Sequence, residues 1–357
     1  LVVNKKYVPA KLQGEFDQKP VMVMPEDPLF ADDLYTIHSS VDLPMTPWTL
    51  LLFIFTFVEY NVENLFDTVH DEGKQDTEFL PSSPRHWTPR RYWQKLDHVG
   101  QALVACGDNA GGGRLPDMAV LTEVENDSVM RDLTRRSPLR AARYDYVMTQ
   151  SPDQRGIDVA LVYSPFSFRL INSHSVRVDP LKGQRPSRDI LYASGMVMSG
   201  DTLHVVAVHA PSRAGGETRT RPYRLHVAER VCQMIDSIRS ASDNPLIIIA
   251  GDFNDYSSDA SLKLIESHGM TEVSLGARGT NGAKGTYRYK GEWGSLDHVF
   301  CNTTMARLLT GCRVNDAPFL MEEDKKYGGA KPHRTYLGPR YQGGFSDHLP
   351  IVATFKL

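Results

Sequence analysis

From about Thr56 onward the chain repeats one arrangement: a short apolar run, then a polar or charged cluster at its end. The runs Phe57–Asn61, Met118–Thr122, Val159–Tyr163, Leu203–His209, Leu246–Ala250, Leu296–Cys301 and Leu349–Phe355 are rich in Val, Ile and Leu. Gly, Asp, Asn or Pro bound them, which predicts strands. Between them, Arg90–Ala105, Tyr223–Ser240 and Ser258–Ser267 carry apolar residues at helical spacing. Asp255 or Ser257 is predicted to cap the last of these. Gly111–Gly113 predicts a turn, and without a following Gly-Lys-Ser/Thr it is no phosphate cradle. Strands mixed with helices predict a layered α and β domain over roughly residues 55–357.

Residues 1–45 are Pro-rich, acidic and weakly periodic, so an irregular extension is expected over residues 1–50, with the domain occupying 51–357. The longest apolar run, Leu50 to Val58, is too short to span a bilayer as a helix and reads as a buried strand. No transmembrane segment is therefore expected. The chain begins at Leu1, which leaves both a cytoplasmic and an exported protein open.

Composition alters this picture little. Lys+Arg is 40 against Asp+Glu 43, so no global basic field demands a nucleic-acid partner. The acidic excess lies in the first 50 residues; the remainder balances at 36 against 36. If several of those acids sit in a metal site, the remaining surface is mildly basic. Cys106, Cys232, Cys301 and Cys312 are scattered, without zinc-type spacing, and are expected to be buried thiols.

Six short motifs set polar groups where apolar runs end: Tyr60-Asn61-Val62-Glu63-Asn64, Thr122-Glu123-Val124-Glu125-Asn126, Val208-His209-Ala210-Pro211, Gly251-Asp252-Phe253-Asn254-Asp255, Ser295-Leu296-Asp297-His298 and Ser346-Asp347-His348-Leu349. Singly, each is more often a turn, a helix cap or a solvated strand end. Together they suit the hydrolysis of phosphoester anions. That reaction needs positive charge on the phosphoryl oxygens, a positioned water and help for the leaving oxygen. Magnesium takes oxygen ligands and needs only one or two carboxylates, for which Glu123 and Asp347 are suited. Asn61 and Asn254 are neutral donors, and histidines titrate near neutrality. Zinc is disfavoured, since neither HExxH nor Cys/His spacing occurs.

The ordered set Asn61, Glu123, His209, Asp252/Asn254, Asp297 and Asp347/His348 resembles the endonuclease/exonuclease/phosphatase (DNase I-like) superfamily. Wording such as YNVENLFDT, RGIDVALVY and GTYRYKGEWGSLDHVF is similar to its uncharacterised Bacteroidetes-type bacterial branch. The resemblance implies an α+β fold, a four-layer α/β/β/α sandwich of two packed mixed sheets flanked by helices. It implies Mg²⁺, with Mn²⁺ or Ca²⁺ as substitutes, held by Glu123 with Asn61 and Asp347 close by. It implies catalytic roles for Asp252, Asn254, His209 and His348, with Asp297 holding the second nitrogen of His348. Asn61 would also contact the phosphate. Where deoxyribonuclease-type members carry a glutamate to partner the His209 equivalent, this chain has Gln150, so His209 is expected to act as a phosphate ligand. The inositol-phosphatase signature is missing.

Arg188 and Arg213 lie in residues 177–224, with 8 basic and 4 acidic side chains; they either line the cleft or belong to a solvated basic loop. Arg155 and Asp158 read as a structural ion pair as readily as anything else. His86 to Trp93 mixes aromatics with arginine, as single-strand platforms do, but packing at a helix start is the expectation. Tyr287, Tyr289 and Trp293 are either a substrate wall or core edge. The expected activity is a phosphodiesterase acting on nucleic acid. The alternatives are a phosphatase or phospholipase-type enzyme on a small or lipid substrate, and a catalytically silent binding protein. A monomer without a stable protein partner is expected.

Overall fold

The computed structural model describes residues 54–107 and 114–357. The expectations for residues 1–50 and for the Gly111–Gly113 turn lie outside the described residues.

Each predicted apolar run forms a strand. One six-stranded sheet contains β1 (Ile54–Leu65), β2 (Met118–Val124), β3 (Asp145–Met148), β4 (Asp158–Tyr163), β13 (Leu309–Val314) and β18 (Ile351–Lys356), in the order β13-β18-β1-β2-β4-β3. The other contains β5 (Phe168–Val176), β6 (Ile190–Val197), β7 (Thr202–His209), β8 (Leu246–Asp252), β9 (Met270–Glu272) and β12 (Asp297–Asn302), in the order β5-β6-β7-β8-β12-β9. Both sheets are mixed: β1 runs parallel to β2 and β7 to β8, while their other neighbours are antiparallel. Hairpins β10/β11 (Tyr287–Tyr289, Glu292–Gly294), β14/β15 (Met321–Glu323, Ala330–Pro332) and β16/β17 (Tyr336–Leu337, Arg340–Tyr341) decorate them.

Strand alternation builds the layers. On β1, Phe55 and Phe57 enter the cluster shared with Val205 and Ile248 of the second sheet. Val58, Tyr60 and Val62 point the other way, into a cluster with helix α1 (Pro89–Val104) and helix α2 (Asp127–Arg135). Val206, Val208, Ile247 and Ile249 face a third cluster with α3 (Glu217–Ala241) and α4 (Ala260–Ser267). Three apolar clusters between four layers, two of helices and two of strands, make the fold an α/β/β/α sandwich.

Helix ends follow local chemistry. Pro89 occupies the first position of α1, where a missing N–H costs nothing. Trp87, just before it, is fully buried and donates from its indole to Phe66 O at 3.0 Å, so this stretch is helix-start packing. The side chain of Asn126 caps α2 by accepting from Val129 N at 3.1 Å. Neither Asp255 nor Ser257 caps α4; the capping position is Asp259. Asp255 is instead held by Arg224 and Ser261, each at 2.6 Å, and Ser257 donates to Glu272 at 3.0 Å. Strand β5 escaped the sequence pattern because it is a half-exposed edge with polar residues on both faces. All four cysteines are free, Cys312 half-buried and the others buried.

Candidate active site

The polar motifs converge because parallel pairing brings strand ends to one rim. His209 on β7 pairs with Asp252 on β8, and Asp252 pairs with Asp297 on β12. Gly251 makes the approach possible: a Cβ there would lie 1.8 Å from Val208 O, so no other residue fits beside β7. Glu123 (φ 65°) and Asn254 (φ 52°) adopt left-handed backbone, as do Glu63 and Asn64 at the end of β1. Such conformations are costly for non-glycine residues and gather where geometry is over-determined.

The side chains form a contiguous row. Nε2 of His209 lies 3.9 Å from Glu123 Oε1 and 3.7 Å from Asp252 Oδ2. Asp252 Oδ2 accepts from the amides of Asn61 at 3.0 Å and Asn254 at 3.1 Å, while its Oδ1 accepts from Asn254 N at 2.8 Å. One ligand atom from each of Asp252, Asp297 and His348 lies within 4.8 Å of the others. Nδ1 of His348 is 2.7 Å from Asp297 Oδ2, which also accepts from Thr286. The ring of Tyr287 packs on His348 with centroids 4.9 Å apart.

Burial sets the electrostatics. Burial, then the charge of Asp297, pushes Asp252 up to about 7, against the lowering effect of His348 and the two asparagines. Burial alone would lower His348, but the charge and hydrogen bond of Asp297 carry it well above the usual imidazole range. His209 is held well below that range by burial and by the positive charges of Arg188 and Arg155. Its Nδ1 has no hydrogen-bond partner among the described residues, and Gln150 is exposed.

Two carboxylates remain open to a cation. Glu123 Oε2 accepts from Asn64 N at 2.9 Å, and Asp347 Oδ2 from Arg334 at 2.7 Å, leaving the second oxygen of each without a hydrogen bond among the described residues. Both are partly exposed, at 15% and 20% of the side chain. Asn61 Oδ1, which accepts from Glu63 N at 2.9 Å, is likewise a hard oxygen donor of the type that divalent magnesium or calcium prefers. In the triad Asp252, Asp297 and His348, Asp297 Oδ2 and His348 Nδ1 engage each other and Asp252 accepts three hydrogen bonds, while Asp297 Oδ1 is without a partner among the described residues.

Arg188 is buried, donating to Ala210 O at 2.7 Å and facing Asp153 at 3.3 Å. Arg213 is gripped by Glu217, by Asp259 at 3.1 Å and by Asp255 at 3.5 Å. Neither guanidinium is brought into the row. Four other groups lie at the row or behind it, and of these the sequence reading named only Arg155, as one half of a structural ion pair. Arg155 reaches Asn64 and lies 3.9 Å from Glu123. Arg334 bridges Asp347 and Glu63, the latter at 3.5 Å. Behind it, buried Lys95 donates to Thr335 at 2.6 Å and to Phe345 O, and burial draws it down to about 8. Glu59 lies two residues before Asn61, on the same face of β1, fully buried with both oxygens unpartnered among the described residues. Burial, then Asp297 and Asp252, raises its carboxyl well above the ordinary range. A charged residue inside the apolar run FTFVEYNV was the available signal.

Comparison with known proteins adds the lineage. No curated protein matches the sequence. Among solved structures, an endonuclease/exonuclease/phosphatase family protein from Bacteroides thetaiotaomicron is similar over 85% of this chain and 98% of its own, at 14% identity and TM-score 0.56. A mannosyl-6-phosphatase from the same species matches 84% of this chain and 98% of its own, at 15% identity and TM-score 0.53. Truncated TDP2 from Caenorhabditis elegans matches 85% and 98%, at 15% identity and TM-score 0.51. At such identities the likeness is one of fold. The family model described as "Endonuclease/Exonuclease/phosphatase family" matches residues 56–356. With that match across the sandwich and its rim, the chain belongs to the endonuclease/exonuclease/phosphatase family and is a hydrolase of phosphoester bonds.

Proposed function

We propose that this protein is a magnesium-dependent phosphodiesterase that cleaves a nucleic-acid backbone. The observation that carries the reading is the row from Glu123 through His209 and Asp252 to the Asp297–His348 pair. Glu123, Asp347 and Asn61 would hold the ion, with manganese or calcium as substitutes. Bound there, the ion supplies positive charge to a phosphoryl oxygen. Asp252 takes the proton of the attacking water; two asparagine amides hold its carboxylate in place. Asn254 also donates to Ala210 O, so its amide is fixed for positioning water or phosphate. Asp297 secures Nδ1 of His348, which aims the remaining Nε2–H at the phosphate as a hydrogen-bond donor. Neutral His209 holds Nε2 3.9 Å from Glu123 and 3.7 Å from Asp252, too far to donate to either, so its proton is available to a phosphate oxygen. Arg188 and Arg213 enter this reading as supports of the 210–213 loop, with Arg155 nearer the phosphate.

Plasmid nicking in magnesium, abolished by a chelator, is the expected result. Asp252→Asn and His348→Ala should each lower the rate by about a hundredfold or more; rates near wild type would remove these roles. One observation favours a second reading, a small phosphoester substrate: three carboxylates neutralise Arg213, so the basic loop offers a strand little free charge. Release of nitrophenol from bis(p-nitrophenyl) phosphate without any nicking would select it.

A further inference from the structure

Helix α3 and the outer face of β5–β7 enclose a cleft of about 350 Å³, within the range of small-molecule sites. It is remote from the catalytic rim. His204, one of its walls, lies five residues before His209 on β7, about 16 Å along the strand.

The lining is chemically specific. Arg230, on α3, donates from Nη1 to Gln233 at 2.7 Å and forms no ion pair among the described residues. Its Nε is buried without a hydrogen-bond partner among the described residues. The Nε–Nη2 edge is the fork that receives a carboxylate or phosphate with two parallel bonds. Across the cleft, His204 is 9% exposed, with Nδ1 2.7 Å from the hydroxyl of Tyr192. Its Nε2 is buried and also unpartnered among the described residues. Burial holds the imidazole below its ordinary range, so the ring is neutral. In the tautomer in which the tyrosine hydroxyl donates to Nδ1, Nε2 carries the ring proton and is a second orphan donor. The rings of His174 and Tyr192 lie 4.9 Å apart at 44°, with Met234 completing an apolar wall. Orphan buried donors are costly, and an acceptor bound between them would relieve that cost.

We propose that this cleft is a binding site for a small planar ring bearing one anionic group. The anion sits between the Arg230 fork and His204 Nε2, and the ring lies against His174 and Tyr192. A nucleoside monophosphate and an aromatic carboxylate share that chemistry.

Isothermal titration of the full chain with adenosine 5′-monophosphate and with indole-3-acetate tests the proposal and separates the two sources. Adenosine and inorganic phosphate serve as ring-only and anion-only controls. At least one complete ligand should bind with 1:1 stoichiometry, about tenfold or more tighter than either control. Arg230→Met and His204→Phe should each weaken that binding about tenfold or more. Turnover and thermal midpoint of Arg230→Met should stay near wild type, since Arg230 contacts nothing at the rim. Failure of both ligands to bind at millimolar concentration would overturn the proposal. So would binding that both variants leave unchanged, which would place the ligand elsewhere.

Discussion

Asp297 and His298 are neighbours on β12, and each belongs to an acid–histidine pair, yet the two pairs serve opposite ends. Strand alternation sends them to opposite faces of the sheet. Asp297 turns to the rim and holds His348 Nδ1 at 2.7 Å. His298 turns inward, where Nδ1 meets Glu272 Oε1 at 2.8 Å and Nε2 meets Asp255 O at 2.9 Å. Both nitrogens of His298 are occupied, so the ring is a strut between β12, β9 and the loop after β8. His348 has one nitrogen left over at the rim. The chemistry of the pair is the same; the unoccupied nitrogen makes one of them available to a substrate.

Breaking the rim pair should have the largest effect. Asp297→Asn removes the charge that holds His348 protonated and aimed, and turnover should fall by about 10²–10⁴-fold. Steady-state rates on bis(p-nitrophenyl) phosphate across pH would show it. The high-pH limb should shift to lower pH as His348 loses its partner, and an unchanged profile would contradict the role of Asp297.

Breaking the strut should cost stability and spare chemistry. Glu272→Gln leaves a buried imidazole without its carboxylate, at about 3 kcal/mol by urea denaturation. Turnover per folded molecule should stay near wild type. The pH dependence has a definite sign. Burial alone would lower His298, but Glu272 raises it above its unfolded value. The pair's contribution is therefore full below the unfolded imidazole value, near about 6.5, and fades as pH rises through the folded value. The substitution should cost more at pH 6 than at pH 9; an equal cost at both would show that the ring is not charged.

The smallest effect concerns the aromatic surroundings. Tyr287 packs on His348 at 4.9 Å, while Phe300 lies 6.2 Å from His298. Tyr287→Leu should lower turnover by several-fold, the equivalent of about 0.5–1.5 kcal/mol of ring contact. Phe300→Leu should instead lower the unfolding free energy by about 1 kcal/mol and leave the rate alone. Exchanged outcomes would mean that the two rings are not divided between chemistry and support as their nitrogens suggest.

Much of the rim was readable because its polar groups flank apolar runs. Asn61, Glu123, His209, Asp252 and Asp297 each stand at the end of an apolar run, where a polar residue has no packing reason to be. Arg334 and Lys95 gave no such sign. Arg334 comes from a long irregular segment, and Lys95 from a helix face where lysine is ordinarily solvated; only the closure of β16/β17 over α1 buries it. Arg213 was open to two readings, cleft lining or basic loop, and Glu217 at the start of α3 pairs with it.

The order and spacing of apolar runs determined by themselves that this chain would be a layered α and β domain with polar groups at its strand ends, because period-two alternation assigns each side chain a face; the sandwich came from the resemblance those motifs carry. They also determined which residue types could meet there. Which histidine would keep a free nitrogen was decided only by tertiary structure. That outcome depends on whether Asp255 O, an atom from another strand's loop, reaches the ring. Local pattern carries no information on such long-range hydrogen bonds; the packing of one sheet end against another creates them.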